Sequence, residues 1–169
     1  MSKAQKALDP KPREENVNFG LDDKARETIA QNLSAILADT YALLVKTHIY
    51  HWNVVGPLFH SIHEMTEVQY NDLFKATDEI AERIRALGYR APVVGNKGHD
   101  IVIELGAESK TAHEMIEDLI SEHESTIRKM REAAEAAEEA DDFVSHDMLV
   151  GRMTIHEKTV WMLRALVTD

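Results

Sequence analysis

The stretch His48–Glu67, HIYHWNVVGPLFHSIHEMTE, holds four of the chain's nine histidines, a tryptophan and two glutamates in twenty residues. The Gly56-Pro57 pair in its middle stops any helix arriving from the left. The apolar residues on either side recur at helical spacing. The stretch therefore reads as a corner between two long helices, crowded with groups that can hold a metal ion. Whether they do so, or are polar residues of an ordinary helical surface, depends on what the rest of the chain builds around them.

Upstream, Ile29, Leu33, Ile36, Leu37 and Leu44 form one stripe, behind a capping residue at Asp22, so the first helix is expected from about Asp22 to Val54. Downstream, Ile62, Met65, Leu73, Ile80, Ile84 and Leu87 form a second stripe, and Gly88 ends it. A third helix is expected from near Ser109 through REAAEAAEEADD, and a fourth from about Asp142 to Val167. His156 lies on the apolar side of the fourth and is read as a satisfied core histidine. Trp52 is read, on the same grounds, as an amphipathic core residue.

Only one connection is long: GYRAPVVGNKGHDIVIELGAE, with DIVIEL as a short helix. Helices of about 30 residues span roughly 45 Å. Four of them with two short turns and one long crossover make an all-α, ferritin-like four-helix bundle over residues 21–169. Residues 1–20, with DPKP and little periodicity, are expected to be a flexible, mildly basic tail (Lys3, Lys6, Lys11 and Arg13).

The chain has 169 residues, 44% of them apolar, which suits one domain with a real core. It has no cysteine, which removes disulfides and thiolate metal sites and fits a reducing cytoplasm. The N-terminus carries no apolar signal-peptide core, and no run of eighteen apolar residues suggests a membrane span. The formal charge is −11, which repels nucleic acid and anionic lipid and attracts cations.

The intrachain di-iron pattern Glu-x-x-His is absent, and so is His-Glu-x-x-His. Helix two instead carries His63 and Glu67 at i,i+4, then Asp78 and Glu82 at i,i+4, on one face. The two pairs lie roughly 16 Å apart along the axis, too far to share an ion within one chain. Positions 63 and 82 have the same midpoint as 67 and 78. Antiparallel pairing of this helix with a copy of itself would bring His63 to the partner copy's residue at 82, and Glu67 to that at 78. A two-fold dimer would then carry two shared sites, with His51 adding a ligand to each. Nitrogen and carboxylate ligands suit iron, zinc or manganese, and a carboxylate-rich site without cysteine favours iron. His48 and His60 are read as surface or supporting residues. His113, His123 and His146 are read as structural.

KTHIYHWNVVGPLFHSIHEM, followed by DEIAERIRALG, resembles the Dps family, the DNA-protection proteins of starved bacterial cells. The resemblance implies a hollow dodecamer that oxidises Fe(II), preferably with hydrogen peroxide, and stores ferric mineral inside. It implies a ferroxidase centre between two-fold related chains. His51, His63 and the acidic residue Glu67 come from one chain; Asp78 and Glu82 come from the other; Trp52 sits beside the iron. The family carries aspartate where this chain has Glu67, one methylene longer, which makes that ligand the departure from pattern. Iron would enter through acidic pores, with Asp141, Asp142 and Asp147 as candidates. The competing function is DNA binding and nucleoid compaction by the tail, decided by a gel shift with and without residues 1–20.

Overall fold

The computed structural model describes residue 11, residues 13–92 and residues 110–168. Within them are four helices: α1 (Asp23–Asn53), α2 (Phe59–Ala86), α3 (Ala112–Glu139) and α4 (Phe143–Val167). Among the described residues there is no strand. The expected helix in DIVIEL and most of the tail lie outside the described residues.

The helix ends follow the local chemistry. Asp22 caps α1 by accepting from the Ala25 amide at 2.9 Å. Thr111 and Glu114 form a reciprocal capping box at the start of α3, which places that start at Ala112, not Ser109. Gly88 closes α2 with φ +94°. Its amide bonds to the Arg85 carbonyl at 3.0 Å and the Tyr89 amide to that of Ile84 at 3.2 Å, the two bonds of a Schellman turn. The same turn ends α3: Asp141 takes φ 59°, with Asp141 N–H on Glu138 and Asp142 N–H on Ala137. Asp142 then caps α4 through the Ser145 amide at 3.1 Å. Helices α3 and α4 therefore meet with no loop to spare.

α1 packs on α2 and α3, and α3 packs on α4; α2 and α4 touch only sparingly. By length and composition alone α1 could cross a membrane, but here its buried side faces the other helices. The core falls into two apolar clusters. One gathers Ile29, Leu33, Ile36, Ile84, Met130 and Leu149. The other gathers Leu43, Tyr50, Ile62, Leu119, Val160 and Leu163. Leu43 holds the fully buried place expected of Leu44, which is only partly covered. Between the clusters, by position along each helix, lie buried polar residues: Thr40, Thr77, His123, Thr126 and His156.

The end of the expected tail is docked on the bundle. The Glu15 amide donates to the Gly88 carbonyl at 2.7 Å, and Arg85 donates to the Arg13 carbonyl at 3.2 Å. One of the three pore candidates is corrected. Asp142 is 2% exposed, caps α4 and pairs with Arg83 at 2.7 Å, so it is a structural residue of the turn and cannot line a pore. Burial would raise its carboxyl, but bonds from Ser145 and Arg83 outweigh that and hold it below the usual range. Asp141 and Asp147 are exposed.

Candidate metal centre

His51 sits in the last turn of α1 and His63 in the second turn of α2. The Gly56-Pro57 corner folds them face to face, with ring centroids 3.8 Å apart and planes 16° from parallel. Each ring binds the other's backbone. His51 Nδ1 lies 2.9 Å from the His63 carbonyl, and His63 Nδ1 lies 2.9 Å from the His51 carbonyl. A carbonyl can only accept, so both Nδ1 atoms carry the proton. Both Nε2 atoms are then left with a free lone pair, the form in which neutral imidazole binds metal. The His51 carbonyl is one of the four that a helix end leaves unpaired, so the contact also finishes α1.

The pair is held from several sides. Thr66 lies 3.3 Å from His51 Nδ1 and donates to the Ile62 and His63 carbonyls. Phe59 stacks on the outer side of His63 at 5.1 Å, and Tyr70 meets His51 edge-on. One residue before His51, the Tyr50 hydroxyl bonds to Asp118 of α3, beside Lys46 and Lys110. This ties the last turn of α1 to α3, so His51 hangs from a fixed turn.

Glu67, Asp78 and Glu82 are exposed along α2. Among the described residues no three His, Asp or Glu side chains of one chain converge on a point. The fold brings His51 and His63 together and does not bring Glu67, Asp78 or Glu82 to them as a cluster within one chain. Trp52 is 62% exposed, which corrects its reading as a core residue. It lies 4.1 Å from His48, which stacks in turn on Tyr70 at 4.4 Å. Phe59 and Phe74 of α2 are also exposed.

A second group of polar residues was not foreseen as a unit. His123 of α3 and His156 of α4 are 2% and 1% exposed, with their Nδ1 atoms 2.9 Å apart. Arg152 reaches His156 Nε2 at 3.5 Å and pairs with Asp72 at 2.7 Å. Burial first, then the Arg152 charge, pushes the His123 ring down to about 4. Burial, His123 and Arg152 push that of His156 lower still. Both are therefore neutral. Seven-residue spacing from Ile116 to His123 to Met130 was the sequence signal that His123 faces inward.

The ferritin-like domain family matches residues 30–169. The chain is 38% identical over 155 residues to a low temperature-induced protein of Nostoc sp., covering 89% of this chain and 86% of that protein. It is 36% identical to DNA protection during starvation protein 2 of Bacillus anthracis, covering 83% of this chain and 97% of that one. Its fold matches the crystal structure of the Dps protein of Vibrio cholerae O1 with a TM-score of 0.81, at 28% identity, over 94% of this chain and 100% of the other. That protein is described as a member of a broad superfamily of ferritin-like diiron-carboxylate proteins.

Proposed function

The chain belongs to the Dps family of ferritin-like proteins, and from that premise we propose that it is a ferroxidase that stores iron. It takes Fe(II) as substrate, oxidises it preferably with hydrogen peroxide, and keeps the ferric product inside a cage of twelve chains. DNA and the cell are protected because iron and peroxide are removed together.

The observation that carries this reading is the reciprocal His51–His63 pair, with both tautomers fixed and both Nε2 atoms free. A second copy of α2, antiparallel to the first, supplies Asp78 and Glu82. Glu67, one turn beyond His63, adds a carboxylate from the first chain, directly or through water. Exposed Trp52, Phe59 and Phe74 support this pairing, because their burial would drive association. Phe74 stands beside the midpoint of α2, where the two-fold axis would pass.

The chemistry balances simply. Two Fe(II) ions each give one electron to hydrogen peroxide, its O–O bond breaks, and two protons complete two waters. Because both electrons arrive at one centre, hydroxyl radical is not released. His51 and His63 give neutral nitrogen ligands, and the carboxylates stabilise the higher charge of Fe(III). Zinc or manganese fits the same ligands without this redox cycle.

The test adds Fe(II) without oxygen, then hydrogen peroxide, and follows iron and protein through native size separation. The expected result is iron eluting with a large assembly, and loss of fast oxidation in the His51→Ala, His63→Ala double variant. Unchanged peroxide-driven oxidation in that variant overturns the site; a small, iron-free species overturns the assembly.

A further inference from the structure

α2 and α4 pack loosely against each other and leave a cleft of about 310 Å³ between them. Its walls are apolar: Met65, Val68 and Leu73 from α2, Ile155 and Met162 from α4. His123, His156, Arg152 and Gln69 line it from inside, and Lys158 lies at its rim. The volume is at the small end of the range for small-molecule sites, and the mix of apolar walls with few polar groups is typical of them.

The tautomers can be worked out from the contacts. Arg152 only donates, so His156 Nε2 is the acceptor and its proton sits on Nδ1. That Nδ1–H donates to His123 Nδ1, 2.9 Å away. The His123 proton is then on Nε2, and this N–H has no partner. Arg152 Nε–H and Gln69 Oε1 are also buried without partners. Three of the six unpaired buried polar atoms among the described side chains thus belong to residues lining this one cleft. Two of the three, His123 Nε2–H and Arg152 Nε–H, are donors, and a buried donor left unpaired calls for an acceptor the chain does not supply.

We propose that the cleft between α2 and α4 binds a small apolar monocarboxylate, its tail between the two helices and its carboxylate on His123 Nε2–H and Arg152 Nε–H. Two N–H donors match in number the two oxygens of a carboxylate. Charge also matches. The Arg152 charge is offset by Asp72, and Lys158 at the rim balances the incoming carboxylate. Both floor nitrogens are covered in this structure. The unbranched side chains of Met65 and Met162 are the lining groups best able to move aside.

The experiment titrates the assembled protein with octanoate by calorimetry, beside octanol as the uncharged control. Saturable octanoate binding with clearly weaker octanol binding is expected. Ile155→Trp, which fills the cleft from an exposed rim position on α4, should abolish it without unfolding the bundle. His123→Leu should weaken octanoate roughly tenfold or more, because one bond to a charged group is lost. Equal binding of octanoate and octanol overturns the proposal. So does unchanged binding in Ile155→Trp, or no octanoate binding to the parent protein.

Discussion

His51 and His63 each donate a ring N–H to the other's backbone carbonyl at 2.9 Å, across a corner only twelve residues long. Each imidazole is therefore the support of the other, and neither is positioned alone. Replacing either by alanine should disturb the position of both rings. Each single variant is expected to lose most of the oxidation rate, and the double variant little more. Stopped-flow oxidation of Fe(II) by peroxide checks this; losses that multiply in the double variant would mean the two rings act independently.

The buried His123–His156 pair makes the protein acid-sensitive. Both rings are neutral in the fold and lie below the unfolded value of 6.5, His123 at about 4. As pH falls below 6.5 the unfolded chain takes up protons that the folded chain refuses, so stability drops. The drop runs from 6.5 to about 4 for His123 and further for His156. For His123 alone it amounts to about 3 kcal/mol. Chemical unfolding at a series of pH values should show it, with a flatter profile in His123→Leu.

Gly88 serves two purposes at one point. Its φ of +94° is strained for any other residue, and a Cβ there would lie 2.3 Å from the Glu15 carbonyl oxygen. Gly88→Ala should lower stability by about 1–3 kcal/mol. It should also release residues 13–15 from the end of α2, which limited proteolysis reads as faster cutting near Arg13.

Asp142 and Asp147 are five residues apart and should behave differently. Asp142→Ala removes the α4 cap and leaves Arg83, its 2.7 Å partner, without its counter-charge. A loss of about 3–5 kcal/mol is expected. Asp147→Ala, at an exposed position, should leave stability within about 0.5 kcal/mol. Thermal melts of the two variants side by side make the comparison.

The four helices were legible because their stripes and stop signals agree. Asp22, Gly56-Pro57 and Gly88 mark ends that the structure keeps. The start of α3 was misplaced by a few residues because Thr111 and Glu114 cap it as a pair, a signal weaker than a glycine. His51 and His63 were legible from their place at the corner. Their mutual backbone bonds were not, because spacing says nothing about ring orientation. Trp52 was misread because an aromatic residue on a helix is most often core, and here a surface is left apolar. The His123–His156 contact joins residues 33 positions apart on two helices, and no short-range pattern encodes that.

The two apolar clusters, separated by a polar layer through the middle of the bundle, divide its cooperativity. Each end has its own set of interlocked side chains, and the join between them relies on hydrogen bonds and small residues. Amide exchange in such a bundle is expected to proceed in two steps, one half opening while the other stays closed. The half that holds the His51–His63 corner can therefore loosen while the other half, with the Gly88 turn and the α3–α4 turn, remains shut.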